Sequence, residues 1–462
     1  MRPVLLLCLV CVSPAFAQPD VTALDPANWL GKLPDPQARE LRPLGGMLQQ
    51  AMDKRDENHI ASLIERSKAV MGEYAGVPEK KVDIIAPPDF AEPDMARVKA
   101  VWQESRKRLE GNFPWDIARR APGPEGTGQP RVREHAGIAR GYSSAYEAGV
   151  EDAPVFRQRA REALDFLLTI QGGNGCFGYP YDLKSEHRLR AMGRQVVELG
   201  RSRGMNVVEH GWIIDDFDWG DLQYNNGHGG LAMLTGYLAT GDGKYLDAGL
   251  RSAEYALSRS ICTNWNYNAF SVWVLARAYR VSKDRRFLLA AIDKTKFGVL
   301  PGQMENGRWI DQHNALPWYH NIIMWGCVEL YLACKEANHP YLATIEKHTA
   351  LGMDSLAAET NAFGIRSPDV VRTLAFASMA LGPRDPWEKA MNVCVNYLCT
   401  PKTVEKAFNT PMDEIYTGAT GIPGSLGFYI LYREWRAGRA YSGEVDIDRR
   451  LNEIKSQNAM DQ

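Results

Sequence analysis

A turn that recurs along this 462-residue chain limits its fold more than any single motif. Asp242-Gly243-Lys244-Tyr245-Leu246, Asp284-Arg285-Arg286-Phe287-Leu288 and Asn338-His339-Pro340-Tyr341-Leu342 each set a polar residue just before an aromatic. Asp152-Ala153-Pro154-Val155-Phe156 and Asp385-Pro386-Trp387 repeat the theme more loosely. Tyr245, Phe287, Tyr341 and Trp387 lie 42, 54 and 46 residues apart, and Phe156 precedes Tyr245 by 89, which leaves room for one more unit. Self-similarity at such a period marks a stacked or closed array of supersecondary units. Leu231, Leu234 and Leu238 before the first turn, and Leu246, Leu250, Ala253 and Leu257 after it, keep helical spacing. Asp and Asn suit the start of the second helix because their side chains accept its orphan amide hydrogens. Each unit is therefore expected to be a helix, a tight turn and an antiparallel helix.

Such pairs are predicted near 135–170, 228–258, 266–296, 319–349 and 366–399, with a further one among 186–212 and the N-terminal helices, and a closing helix around 421–436. Val/Ile/Thr alternation is scarce, which argues against any substantial sheet. Irregular units, long loops at 171–227 and 297–318, and a final helix able to meet the N-terminal ones favour a ring over an open solenoid. The expected fold is all-α: an α/α toroid of six or seven helical hairpins in one domain. Its expected parts are a leader at 1–17, N-terminal helices packing on the ring at 18–130, the toroid at 131–440 and a C-terminal tail at 441–462.

Hydrophobic residues make up 45% and charged residues 24% of the chain, which excludes disordered and collagen-like classes. The net charge of −2 gives no overall basic field for nucleic acid or acidic membranes. Met1-Arg2, the apolar run Val4 to Val12, and Ser13-Pro14-Ala15-Phe16-Ala17 read as a cleavable secretory signal. The mature chain is expected to start near Gln18 and to be secreted or periplasmic. No later stretch approaches the ~20 apolar residues of a membrane helix. Cys8 and Cys11, the one C-x-x-C pair, leave with the signal; Leu7 and Val10 before them do not suit a lipid-anchor site. Cys176, Cys262, Cys327, Cys334, Cys394 and Cys399 remain, and buried free thiols explain them as well as disulfides do.

In a closed ring of hairpins the inner helices run in one direction, so their N-termini share one mouth, rich in free amide donors and positive dipole ends. Three segments preceding inner helices carry the same kinds of residue. One holds Trp219, Tyr224, Asn225, Asn226, Gly227 and His228; the next holds Asn264, Trp265, Asn266, Tyr267 and Asn268; the third holds Arg308, Trp309, His313, Trp318, Tyr319, His320 and Asn321. His135, Arg140 and Tyr142 fall in a fourth segment and Arg366 in a fifth. One His or Tyr at a helix start is usually a cap or a packing group. Aromatics joined with Asn at three equivalent points fit a ligand cleft better. Trp and Tyr faces stack on sugar rings, while Asn, His and Arg bind hydroxyls and carboxylates.

Taken together, a helical ring whose helix starts bear Asn, His and Tyr resembles the α/α-toroid polysaccharide lyases that act on uronates, such as alginate and glucuronan lyases. Thr263-Asn264-Trp265-Asn266-Tyr267 looks like the Asn-Asn-His-x-Tyr element of one alginate-lyase family, with Thr263 in place of the first Asn and Trp265 in place of the His. The resemblance spans about 130–436 in architecture, through short motifs. It implies an anionic polysaccharide substrate, β-elimination, no required cofactor, and calcium as the one ion to test.

Abstracting the C5 proton beside a carboxylate builds negative charge that Asn, protonated His or Arg can stabilise. Tyr or His can then take the proton, and a Tyr can protonate the leaving glycosidic oxygen. Tyr319 is the first candidate for base or acid and Tyr267 the second; His228 with Asn226 is the neutralising pair, and Arg366 or Arg277 a further cation. Trp219, Tyr224, Asn264, Trp265, Asn266, Arg308, His313, Trp318, His320 and Arg366 are expected to bind substrate.

Two other classes are weighed against the lyase. A glycoside hydrolase on the same ring, for example one acting on unsaturated uronyl groups, needs paired carboxylates. Asp215, Asp216, Asp218, Asp221 and Asp311 are candidates. A non-catalytic carbohydrate-binding protein is the third class. Gly173-Asn174-Gly175-Cys176-Phe177-Gly178 fits G-x-G-x-x-G but follows a helical run instead of a strand, so a dinucleotide site is rejected. Pro423-Gly424-Ser425-Leu426-Gly427 lacks the first Gly of a nucleophile elbow.

Overall fold

The protein is described here by a computed structural model, which covers residues 34–78, 89–112, 132–147, 153–177, 179–180, 209–210, 213–214, 223–363, 368–409 and 421–460. The recurring turn proves to be a backbone device. Gly241, Lys283, Asn338 and Gly382 all have positive φ (73°, 62°, 48° and 99°). In this left-handed conformation the backbone terminates one helix and reverses toward the next. In the first two turns the polar residue that follows caps the next helix: Asp242 accepts from the Lys244 amide at 3.2 Å and Asp284 from the Arg286 amide at 2.9 Å. In the third turn His339 takes the Asp position, its Nδ1 accepting from the Tyr341 amide at 3.1 Å. The aromatics then knit neighbouring units. The Tyr245 hydroxyl donates to Asp165 (2.7 Å) and Trp387 Nε1 to Asp354 (2.7 Å), both on the preceding unit.

Five hairpins follow in sequence: α4 (Val132–Glu147) with α5 (Ala153–Ile170), α6 (Gln223–Thr240) with α7 (Gly243–Ser258), and α8 (Trp265–Ser282) with α9 (Arg285–Gly298). α10 (Pro317–Glu336) then pairs with α11 (Leu342–Phe363), and α12 (Pro368–Leu381) with α13 (Asp385–Leu398). The first helix of each hairpin touches the first helix of the next, in the order α4, α6, α8, α10, α12. α15 (Gly421–Arg436) follows the short α14 (Pro401–Asn409) and lies between α12 and α4, which closes the circle. α3 (Met95–Asn112) backs α15 as the sixth outer helix. The fold is an α/α toroid of six helix pairs among the described residues, and its last pair joins the two ends of the chain. The ring therefore takes in α3, upstream of the boundary expected at 131.

Inner helices are buried on nearly every side; α6 and α8 keep only a few residues partly exposed. Such helices close up where side chains vanish. A Cβ on Gly227 would lie 2.7 Å from the Phe270 carbonyl, and one on Gly326 2.6 Å from that of Ala269, so α6 and α10 approach α8 at glycine. Two further helices, α1 (Asp35–Asp53) and α2 (Glu57–Met71), brace the outside of the third hairpin. Gln49 donates to the Ile261 carbonyl at 2.6 Å, Arg55 pairs with Asp293 at 2.8 Å, and Lys296 pairs with Glu57.

Three two-residue strands, β1 (Tyr179–Pro180), β2 (Glu209–His210) and β3 (Ile213–Ile214), form a small antiparallel sheet in the order β1-β3-β2. Glu209–His210 is thus strand, where a helical pair was expected among 186–212; residues 186–208 lie outside the described residues. The stretch expected as a tail is not one. α16 (Ile447–Met460) docks beneath α6 and α8, and Arg450 donates to the Leu238 and Ala239 carbonyls at the end of α6. Cys176, Cys262, Cys327, Cys334, Cys394 and Cys399 are all buried.

Candidate active site at the ring mouth

The bore of the ring is graded from one end to the other. On α6, Tyr224, His228, Leu231 and Thr235 follow one face at helical spacing. Phe270, Trp273 and Arg277 do the same on α8, and Ile322, Trp325 and Glu329 on α10. The lower layer is ionic and sealed. Arg277 makes a bidentate pair with Glu329 (2.7 and 2.8 Å) and reaches Glu444 at 3.2 Å; Arg280 meets Glu329 at 2.6 Å; Arg372 meets Glu444 at 3.0 Å. The arginines hold Glu329 below the usual carboxylate range and Glu444 at about 2, against the opposing effect of burial. Arg277 had been a candidate for the catalytic cation. Its guanidinium is fully committed to this floor.

Above the floor the bore is aromatic. The His228 ring lies 4.8 Å from that of Phe270, 6.1 Å from Trp273 and 6.3 Å from Trp325. Arg140 crosses from α4 to place its guanidinium 4.3 Å above Trp273 and 5.5 Å from Trp325, and Trp325 Nε1 donates to the Thr373 hydroxyl on α12. One layer higher, Tyr224 and Tyr267 have ring centroids 5.8 Å apart. At the rim His313 stacks on Tyr319 at 4.1 Å, and Trp318 beside them is 45% exposed. Asp311 and Asn314 complete the rim. Burial pushes the Asp311 carboxyl up from its ordinary value, partly offset by the donors of Asn314. Asp369, in the first turn of α12, is also pushed up by burial, with Arg140 and Arg372 acting against the shift.

Of the expected site residues, Tyr224, His228 and Tyr267 gather around Phe270, and His313, Trp318 and Tyr319 form a second ring cluster at the start of α10. Their neighbours in sequence turn elsewhere. Asn226 faces the outer helix: its Oδ1 accepts from the Phe177 amide (3.2 Å) and the Ser252 hydroxyl (2.9 Å), and its Nδ2 donates to the Ser252 carbonyl (3.0 Å). That amide fastens the 172–177 turn to the wall and is spent there. Trp265 is buried under the turn at Gly302, where a Cβ would lie 2.4 Å from its ring. Asn264 and Asn266 bind each other and Asn314. Arg308 donates to the Ala315 carbonyl at 2.9 Å and pairs with Glu359 at 3.0 Å, inside the wall. His320 is sealed in the same wall, 3.7 Å from Glu359 and 5.2 Å from the Trp309 ring centroid. His135 packs on Phe166 and Tyr142 on Phe156, both in the first hairpin. The helix starts also differ: Tyr224 to His228 lie within α6, which begins at Gln223, and not before it. Trp219, Arg366, Asp215, Asp216, Asp218 and Asp221 lie outside the described residues.

Sequence reasoning missed Trp273 and Trp325 and gave Arg140 no role. The available signal was an aromatic or charged residue recurring at i, i+3 or i+4 along otherwise apolar inner helices. Among the described residues no group of three or more His, Cys, Asp or Glu side chains is placed to hold a metal ion.

No family model matches the chain, and no curated protein matches it. Among solved structures it is similar to a polysaccharide lyase at 13% identity and a TM-score of 0.49, over 75% of this chain and 99% of that one. A glycosyl hydrolase family 88 protein from Bacteroides vulgatus is similar at 13% identity and a TM-score of 0.44, over 73% of this chain and 98% of that one. Likenesses this faint carry no weight for the chemistry of this chain, and its toroid architecture stands on the closed order of helices described above.

Proposed function

We propose that this chain is an exported enzyme that cleaves a uronate-containing polysaccharide by β-elimination at the mouth of the ring. The supporting observation is Arg140, a cation held inside an aromatic bore directly beneath a rim of tyrosine, histidine and exposed tryptophan. Stacked on Trp273, the guanidinium sets a positive charge in apolar surroundings that strengthen its attraction for a uronate carboxylate. Trp318 and the Tyr224–Tyr267 pair offer faces on which sugar rings rest. With the uronate carboxylate on Arg140 and His228, charge that develops as the C5 proton leaves is stabilised in place. Tyr319, against His313, takes that proton; Tyr267, across the rim, serves the leaving oxygen. Asn226 has no part in this scheme, and Arg140 takes the place given to Arg277 or Arg366. The route draws on no cofactor, and chelating calcium is expected to leave the rate unchanged.

One observation favours a second reading, hydrolysis. Asp311 and Asp369 are both carboxyls that burial inclines toward the protonated form a general acid needs. Incubation with alginate, glucuronan and pectate under ultraviolet monitoring separates the two. Elimination leaves a conjugated unsaturated uronate that absorbs; hydrolysis leaves reducing ends without that absorbance. Binding without either product would sink both readings in favour of a carbohydrate-binding protein.

A further inference from the structure

We propose that Asn314 is a positioning residue that fixes the distance between the two tyrosines of the mouth, an inference that rests on Tyr319 and Tyr267 being parts of one site. Asn314 is 2% exposed and reaches in two directions. Toward its own loop, its backbone amide donates to Asp311 Oδ1 (2.9 Å) and its Nδ2 to Asp311 Oδ1 and Oδ2 (3.0 and 3.1 Å). Toward α8, its Nδ2 also donates to Asn264 Oδ1 (3.2 Å), and its Oδ1 accepts from the Asn266 backbone amide (3.3 Å) and Nδ2 (2.7 Å).

The Asn266 amide is one of the orphan donors of the first turn of α8. Asn264 holds the N-cap position but makes no capping bond. Asn264 gives its oxygen to Asn314 and Asn266, and Asn314, from 48 residues along the chain, satisfies the helix start instead. A local cap ordinarily secures such a helix start. Replacing it with a distant one ties the height of the 299–316 loop to the start of α8. Tyr267 stands on that helix start, and His313, stacked on Tyr319, is the residue before Asn314.

Other contacts hold the loop from its outer side: the Gly76 amide donates to the Ile310 carbonyl at 2.7 Å, Gln303 donates to the His348 carbonyl at 3.1 Å, and Arg308 pairs with Glu359 at 3.0 Å. Only a short primary amide meets the demands at 314: it donates toward Asp311 and Asn264 and accepts from Asn266. Aspartate keeps the acceptor and loses the donor; alanine loses both.

The test compares Asn314→Ala and Asn314→Asp with the parent chain by steady-state kinetics on the uronate polymer it cleaves, and by the proton NMR signals of the His313 ring. Asn314→Ala is expected to lower kcat by about tenfold or more with KM nearly unchanged. It should also abolish the upfield ring-current shift that stacking on Tyr319 gives His313. In Asn314→Asp two carboxylates face each other at neutral pH and hold the loop open. At acid pH a proton shared with Asp311 restores the donor, so kcat should recover there and the pH profile should move to the acid side; His313 is the titratable neighbour that acts on Asp311, and it is unchanged in both variants. Retention of kcat and of the His313 shift in Asn314→Ala overturns the proposal. So does an Asn314→Asp profile that follows Asn314→Ala at every pH. If the parent chain cleaves no uronate polymer, the proposed function fails, and the His313 shift alone still decides whether Asn314 sets the rim.

Discussion

Toward the C-terminal ends of α8 and α10, Arg277, Arg280 and Glu329, joined by Arg372 from the second turn of α12 and Glu444 from the segment before α16, consume one another's charge in a buried lattice of short bonds. At the N-terminal ends of α6, α8 and α10, aromatic rings and amides gather instead, with the Arg140 guanidinium stacked on Trp273 at mid-helix between the two levels. Helix dipoles explain part of the contrast. Carbonyl ends are partly negative and suit arginine, whereas amide ends are partly positive and suit an anionic ligand. The rest is connectivity: residues 437–460 close the floor, so the ionic layer and the proposed site lie at different levels along each helix. Variants at the two levels should therefore fail in different ways.

Tyr319→Phe carries the largest expected effect. It should reduce turnover by about 10²–10⁴-fold, the range for a lost acid–base group, with a thermal midpoint equal to the parent's. A variant that keeps full turnover removes Tyr319 from the mechanism. Glu329→Gln should do the reverse. It leaves Arg277 and Arg280 short of a buried partner and should cost about 3–5 kcal/mol in denaturant unfolding, while activity per folded molecule stays the same. Loss of specific activity in the folded fraction would join the two levels that the structure separates.

The floor also predicts an acid response. Glu444 is held at about 2 and Glu329 below 4.5, so both bind fewer protons folded than unfolded. Their stabilisation is complete above pH 4.5, the ordinary glutamate value, and is lost as pH falls toward 2. Hydrogen exchange across that range should show residues 437–460 opening ahead of α6 and α8; simultaneous opening would mean that the floor is no separate unit. Trp318→Ala should have the smallest effect, a rise in KM of about fivefold with kcat maintained, consistent with one stacking face worth ~1 kcal/mol.

Most of the ring could be read from the chain, because its period is written in local chemistry. A left-handed residue and an aromatic recur in each turn, with a capping Asp in two of them and His339 in a third, and each acts on its immediate neighbours. The level of the helix starts was legible for the same reason, since they are local events. The direction in which each residue faces was not. Successive residues on a helix point about 100° apart, so Tyr267 faces the mouth while Trp265 and Asn266 turn into the wall. Tyr319 and His320 part in the same way. The floor was illegible for a different reason. Arg277 meets Glu329 across 52 residues and Glu444 across 167, and no local pattern announces such a partner.

The central claim is that an anionic glycan occupies the amide end of the ring and leaves the carbonyl end untouched. Hydrogen–deuterium exchange with a saturating oligouronate tests it most directly. Slower exchange is expected at 223–231, 264–273 and 311–320, with residues 437–460 unchanged. Protection centred on 437–460 or on the outer helices, or none at the three helix starts under saturation, would contradict it.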